Sequence, residues 1–532
     1  MRTSLLLCTG LALLFLAPAP ANARQDVQAG QEVYDRWCSS CHGVEGDGLG
    51  PAAGYMLPRP RDFTRGIYQI RSTPGGELPT DQDLLQIIDK GMPGTAMPGW
   101  EEYLSSRDRN ALVEYLKTFY PPYVTLPPPD PLAFGGGPRA SEERITEGAQ
   151  VYREVECWQC HGDSGRGEGT SAPTLEDDAG LPIRAPDLTK NWLFNGGGTA
   201  EDVYRRLRTG LDGTPMPSFS DLIDAEVITD DELWSLALFV RSLAPDDLPS
   251  VREVIRVART DSGTVPTSLE DERWGDAESF YIPLVGQIIM APRWFDPAVT
   301  SVWAQGIHDG ESMALRLVWH DRSASPDPRW GEWQSRILET MEPREGDVPE
   351  AGPLPDRLAV QFPLTIPTGM DRPYFLMGDN QNPVSLLQWR SDQSGSVTRA
   401  RARGMRDIQE LSGGEVTAEA RWAEGRWELL LRRPLVTGDP ENDLQFEEGV
   451  SIPIAFFAWD GDHGEAGSRG SVSSWFFIHL EREVPPTVLV APLFAMLITG
   501  GLGMLVVTRA QRRERLGVVK DGEGEEAHEG PN

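Results

Sequence analysis

The chain has 532 residues, a net charge of −32, and four lysines among its 49 basic residues. Such a length predicts about three domains, and so acidic a surface excludes a nucleic-acid-binding role. Of its five cysteines, four fall in two short motifs, which leaves no pair for a disulfide framework.

Residues 1–23 read as a secretory signal: Arg2, an apolar run from Leu5 to Leu16, then Ala21-Asn22-Ala23 as a small-residue cleavage site. Cys8 lies inside this run and leaves with it. A helix is predicted from Ala29 to Trp37, ending on Cys38-Ser39-Ser40-Cys41-His42. C-x-x-C-H is the attachment signature of c-type haem: two thiols one turn apart form thioethers, and the adjacent histidine is the proximal iron ligand. A zinc site or a redox dithiol is the alternative for such a motif. Asp108 to Phe119 predicts a closing helix stopped by Pro121-Pro122, and a Pro/Gly-rich linker follows, with Pro127-Pro128-Pro129 and Gly135-Gly136-Gly137.

The pattern then repeats. Glu147 to Glu156 predicts a leading helix, Cys157-Trp158-Gln159-Cys160-His161 a second motif, and Asp230 to Leu243 a second closing helix. Tyr152 stands where Tyr34 does, Phe239 where Tyr115 does, and Pro186-Asp187-Leu188-Thr189 echoes Arg61-Asp62-Phe63-Thr64. Gly91-Met92-Pro93-Gly94-Thr95-Ala96-Met97-Pro98 aligns without gaps on Gly210-Leu211-Asp212-Gly213-Thr214-Pro215-Met216-Pro217. Met97 lies 55 residues after His42, and Met216 lies 55 residues after His161. A methionine at equal distance after each motif suits a His/Met-ligated iron. Met92 rivals Met97, but its counterpart is Leu211, so the repeat favours Met97. Trp100 and Phe219 follow the Met-Pro steps, as core residues or as walls of an electron-exit face.

Residues 26–120 and 140–244, joined by the linker 121–139, resemble class I cytochromes c in tandem. The resemblance implies two small helical bundles and two covalent haems c. Their thioether pairs would be Cys38/Cys41 and Cys157/Cys160. Their axial pairs would be His42 with Met97 and His161 with Met216.

From 250 to 482 short apolar/polar alternations replace long helices. Met313 to Trp319, Arg357 to Phe362, Val416 to Trp422, Trp427 to Leu431, Ser451 to Trp459 and Ser474 to Leu480 predict strands, with Glu424-Gly425 as a hairpin turn. An all-β sandwich or barrel is expected. The phrases Leu317-Val318-Trp319-His320-Asp321, Leu358 to Pro363, Phe375-Leu376-Met377-Gly378-Asp379, Ala458-Trp459-Asp460-Gly461 and Ser471 to Trp475 stand in this order. Together they resemble the haem-binding domain of ethylbenzene dehydrogenase and the γ subunits of selenate reductase, chlorate reductase and dimethylsulfide dehydrogenase. In that family a β-sandwich holds one non-covalent haem b between methionine and lysine, serving a molybdopterin oxidoreductase. The methionine carries over to Met377. The lysine does not: Arg469-Gly470 stands in its place, and no lysine occurs between 250 and 482. His463 is the nearby substitute as sixth ligand. A five-coordinate iron and a domain without haem b are the other outcomes.

Val488 to Val507 is apolar and uncharged, long enough to span a bilayer, and Arg509, Arg512, Arg513 and Arg515 follow it. The positive-inside rule then places residues 508–532 in the cytoplasm and the bulk of the chain in the periplasm or on the outer face of the cytoplasmic membrane. A buried core helix is the alternative. The expected architecture is two all-α domains, an all-β sandwich and one C-terminal transmembrane helix. The expected role is a membrane-anchored electron carrier, not an enzyme. It would relay electrons between a molybdopterin or other respiratory oxidoreductase and a soluble cytochrome or terminal oxidase. A haem peroxidase or reductase, with an open iron in the β-domain, is the rival. A haem-free β-domain acting as a docking module is the other.

Overall fold

The computed structural model describes residues 21–341, 352–368, 372–483 and 486–521. The predicted signal up to residue 20 and the tail beyond 521 lie outside the described residues.

The first helical unit is built on α1 (Ala21–Trp37), α2 (Asp81–Lys90) and α3 (Ser106–Leu116). α1 begins well before the expected Ala29, because the Ala-, Gln- and Arg-rich stretch before Gly30 contains no breaker. Its crossing of α3 is close: a Cβ on Gly30 would fall 2.0 Å from the Ala111 carbonyl oxygen. The second unit repeats this with α4 (Glu142–Glu154), α5 (Ala200–Thr209) and α6 (Asp230–Ser242). There Gly148 crosses α6, with the same 2.0 Å from its Cβ position to the Ser235 carbonyl. Only glycine admits either approach. α2 and α5 both open on a capping box, Thr80 with Asp83 and Thr199 with Asp202. The second leading helix stops short of the predicted Glu156, which is left-handed at φ 61°. One extra residue enters there: Cys38 N–H bonds the Tyr34 carbonyl four residues back, whereas Cys157 N–H reaches five back to Tyr152.

Among the described residues the β-domain has fourteen strands: β1 (Val254–Arg259), β2 (Phe280–Pro283), β3 (Val285–Gly286), β4 (Ser301–His308), β5 (Ser312–His320), β6 (Arg357–Pro363), β7 (Val384–Arg390), β8 (Val397–Ala402), β9 (Ile408–Leu411), β10 (Thr417–Ala423), β11 (Arg426–Pro434), β12 (Ser451–Trp459), β13 (Ser471–Val472) and β14 (Phe476–Leu480). They hydrogen-bond along the path β10-β11-β5-β4-β1-β14-β12-β6-β7-β8-β9. Most pairs are antiparallel, but β1 runs parallel to both β4 and β14 and so joins the two halves. The path folds over on itself, since Trp319 of β5 and Trp427 of β11 lie 5.6 and 4.8 Å from Trp389 of β7, ring centre to ring centre. A continuous apolar core fills the space between the halves. The predicted strands are present with small shifts. β1, β2, β3, β4, β7, β8, β9 and β13 were not predicted; in β4 and β7 both faces are largely buried and the apolar residues do not alternate cleanly. A helix, α7 (Gly331–Thr340), is inserted between β5 and β6, and its Trp333 and Ile337 pack inward with Leu57, Ala172, Trp294 and Trp330.

The hairpin turn expected at Glu424-Gly425 is formed, with φ of 52° and 71°. It rests on the second helical unit, where Glu424 O accepts from Ser164 Oγ at 2.9 Å and Arg166 Nη1 at 2.6 Å. Beside it His320 pairs with Asp187, and Arg184 with Asp296. The first unit meets the β-domain through Arg59, which donates to the Thr340 carbonyl at 2.5 Å, and through Tyr55 against Phe295.

The final helix, α8 (Pro486–Asp521), includes the stretch Val490–Leu516, within which an 18-residue window has mean hydropathy 2.2 and is fully exposed. It is long and apolar enough to cross a membrane.

Candidate functional site

Each C-x-x-C-H motif closes the end of its leading helix in a single helical turn, Ser39–His42 or Trp158–His161. His42 N–H returns to the Cys38 carbonyl at 2.9 Å, and His161 N–H to Cys157 at 3.0 Å. A buried tyrosine pins each turn: Tyr34 Oη donates to Gly43 O at 2.7 Å, and Tyr152 Oη to Gly162 O at 2.6 Å. All four thiols are free and half-buried. Burial pushes Cys38 and Cys157 up to about 12, so both are held as thiols.

The histidines are oriented in the same way. His42 Nδ1 donates to the Arg61 carbonyl at 3.0 Å, and His161 Nδ1 to that of Pro186 at 3.4 Å. Each bond turns Nε2 outward as an available lone pair. Desolvation lowers both imidazole pKa values, which keeps the rings neutral and competent as ligands. The echo seen in sequence has a structural task. In Asp62-Phe63-Thr64 and Asp187-Leu188-Thr189 the aspartate accepts from the threonine N–H at 2.9 and 3.0 Å, and from its hydroxyl at 2.6 Å in both. This turn fixes the carbonyl that holds the histidine.

The methionine loops match bond for bond. Met92 N–H reaches Met97 O, and Leu211 N–H reaches Met216 O, both at 3.1 Å. Thr95 and Thr214 hydroxyls donate back at 2.7 Å and accept from Met97 and Met216 N–H at 3.2 Å. Met97 and Met216 are both half-buried. Two free thiols, a neutral oriented imidazole and a thioether loop fit covalent haem in each unit.

The two units meet across these loops. Arg71, its side chain fully buried, donates to Thr209 O at 2.6 Å and Asp212 Oδ1 at 2.7 Å. Asp212 Oδ2 accepts from Gly76 N–H at 2.9 Å, and Arg65 pairs with Asp178 at 2.7 Å. A Cβ on Gly213 of one loop would lie 3.2 Å from Ile67 of the other unit. Its counterpart Gly94 faces Leu193 at 3.7 Å, so each loop is covered by the opposite unit. Sequence reasoning did not find Arg71 or Asp212, which lie 141 residues apart and form no motif.

Family comparison agrees. Residues 25–116 match the family described as cytochrome c oxidase, cbb3-type, subunit III, and 145–244 match cytochrome c. Cytochrome c55X of Stutzerimonas stutzeri is 35% identical over 111 residues, covering 20% of this chain and 79% of that protein. The chain belongs to the cytochrome c family. A putative respiratory nitrate reductase heme subunit of Haloferax mediterranei is 26% identical over 222 residues, covering 41% of this cytochrome and 69% of the relative. A solved Kuenenia stuttgartiensis reducing HAO-like protein complex contains a chain 42% identical, covering 41% of this cytochrome and 96% of that chain, with a TM-score of 0.39. Residues 402–471 match the ethylbenzene dehydrogenase family, a part of the β-domain.

The residues considered for haem b have different surroundings. Met377, at φ 61°, is packed among Leu376, Val384, Leu386, Ala402 and Phe457. His463 is fully buried beside Trp294, and its Nε2 is taken by the Asp296 carbonyl at 3.0 Å. His463 Nδ1 is buried and has no hydrogen-bond partner. Of the sequence candidates near the loops, Phe219 is core, whereas Trp100 is half-buried against Trp37 at 5.6 Å.

Proposed function

We propose that this cytochrome is a membrane-tethered di-haem electron carrier, the electron-transfer subunit of a respiratory oxidoreductase complex. The observation that carries the reading is the duplicated scaffold, equal down to its hydrogen bonds, with both methionine loops on one interface. A haem iron held by imidazole and thioether exchanges single electrons at a comparatively high potential. Cys38 and Cys41, with Cys157 and Cys160, fix the two attachment points. His42 and His161 would hold the iron through Nε2, and Met97 and Met216 through sulfur. A fully ligated iron would leave no place for dioxygen or peroxide, which separates a carrier from a peroxidase. Arg71 and Asp212 hold the two sites against each other, giving electrons an internal path.

The β-domain supports the second unit and, on this reading, docks the cytochromes on their partner complex without a haem b of its own. Its likeness to the ethylbenzene dehydrogenase family, and the nitrate reductase relative, favour a molybdopterin-type oxidoreductase as that partner. A soluble cytochrome or terminal oxidase is the other. α8 anchors the chain in the cytoplasmic membrane, its arginines inside and the haem units in the periplasm after removal of the signal.

Anaerobically reduced full-length protein tests this. Oxidation by a basic soluble cytochrome c should be fast and should slow with added salt. Hydrogen peroxide should give no sustained turnover. Peroxide-driven turnover by the purified protein would overturn the reading.

A further inference from the structure

Three strand ends of the β-domain bring carboxylates together in its interior. Asp321 follows β5, Asp356 precedes β6, and Asp460 follows β12. Trp459 of β12 pairs with Arg357 of β6, which brings the neighbouring Asp460 and Asp356 to the same edge. All three side chains are buried, at 3%, 0% and 2% exposure, and one oxygen from each lies within 4.8 Å of the others. Hydrogen bonds satisfy part of the cluster. Asp356 accepts from Ser325 N–H at 2.7 Å, Trp427 Nε1 at 2.9 Å and Gly461 N–H at 2.9 Å. Asp460 accepts from His463 N–H at 3.0 Å, and Asp321 Oδ1 from Ser323 N–H at 3.3 Å. Asp321 Oδ2 is buried without any partner. The guanidinium of Arg322 stands 3.9 Å from Asp460, beyond hydrogen-bond reach, stacked on Trp330 and Trp333.

Three carboxylates in a dry interior, with buried Asp462 and Glu465 beside Asp460 and one distant cation, are unstable as charges unless protons or a cation join them. The unpartnered oxygen of Asp321 points to the cation. We propose that Asp321, Asp356 and Asp460 bind one calcium ion. An all-oxygen donor set selects a hard cation, against zinc or copper. Calcium–oxygen bonds of about 2.3–2.6 Å place opposite ligand atoms at most about 5 Å apart, which the cluster meets. Magnesium holds several waters in a rigid octahedron, which a site walled by three strand ends does not favour.

The ion would brace the edge on which the second cytochrome unit rests. Asp321 N–H bonds Gly425 O at 3.0 Å, and Trp422 Nε1 bonds Asp321 O at 3.0 Å, so Asp321 holds the docking hairpin from both sides. His320, one residue before it, makes the pair with Asp187. The cation thus ties β5, β6 and β12 beneath the unit that carries His161.

The test uses detergent-solubilised, haem-loaded full-length protein, stripped with EGTA and titrated with calcium chloride. So acidic a surface binds calcium weakly at many places, so the comparison with a variant decides. Wild type should retain about one calcium per chain after desalting, and Asp321→Asn should lose affinity by about tenfold or more. Calcium should raise the unfolding midpoint of wild type and leave that of Asp321→Asn unmoved. Without calcium, Asp321→Asn should be at least as stable as wild type, because it removes a repelling charge that has no partner. Asp460→Asn should also lose retention, a second variant in case one misfolds. Folded wild type that retains no calcium would overturn the proposal, as would equal retention by wild type and Asp321→Asn.

Discussion

The two cytochrome units share a hydrogen-bond framework but not their packing or their surroundings. The tyrosine pins, histidine supports and methionine loops agree within a few tenths of an ångström. Around them the first unit is aromatic: Phe63 stacks on His42 at 4.6 Å and packs with Tyr34, Tyr68 and Phe119. The second has Leu188 at the corresponding place, in a core richer in aliphatic residues. The glycine-rich loops after the two motifs align residue for residue, yet Val44 and Leu49 correspond to Asp163 and Glu168. In the first unit both are exposed, Leu49 by 78%. In the second, Glu168 accepts from Ser164 and Arg166 beneath the β-domain hairpin. The hydrogen-bond framework is thus kept in both copies, while one copy leaves an apolar edge exposed and the other is committed to an internal contact.

Removing one attachment point tests that equivalence most severely. Cys41→Ala should abolish one covalent haem and Cys160→Ala the other, each leaving half the covalent haem stain on denatured protein. Complete loss in either single variant would mean that the units do not mature independently. Exchange of an axial methionine should come next in size. Met97→His and Met216→His should each lower one potential by a substantial fraction of the haem range, in separate steps of a redox titration. Met92→Leu should leave both potentials and the near-infrared sulfur-to-iron band in place. If Met92→Leu removes a band and Met97→Leu does not, the repeat has misassigned the ligand.

The interface between the units should respond more modestly. Arg71→Ala leaves Asp212 and the Thr209 carbonyl without their buried partner and should cost about 3 kcal/mol in denaturant unfolding. It should also slow electron passage from one haem to the other without altering haem content. The smallest effect is expected from pH at the β-domain contact. Burial lowers the His320 pKa despite the Asp187 carboxylate beside it, so the folded chain binds that proton less readily than the unfolded one. The contribution of His320 should be fully present above about pH 6.5 and should fade as pH drops below that value. His320→Gln should flatten that part of the stability profile.

What the sequence disclosed follows from how local each feature is. Cys38 to His42 and Cys157 to His161 were legible because covalent attachment needs five consecutive residues. The matched loops at Met97 and Met216 were legible because duplication preserved their spacing. The Asp62/Thr64 echo was visible, but its purpose was not, since the carbonyl it orients is recognised only beside His42. Arg71 with Asp212, and Asp187 with His320, join distant segments through single side chains and left no pattern. β4 and β7 were hidden because strands buried on both faces lose alternation. The parallel joins of β1 to β4 and β14 depend on topology, which periodicity does not encode. His463 was read as a ligand from its proximity in sequence to Arg469; its Nε2 bonds the Asp296 carbonyl and its Nδ1 has no partner.

The central claim is that two matched sites each hold one covalent haem and that the β-domain holds none. A pyridine haemochrome assay on purified full-length protein, normalised to peptide content, reads this directly. The account predicts two haems c per chain and no haem b. One haem c per chain, or a stoichiometric haem b that His463→Ala removes, would contradict it.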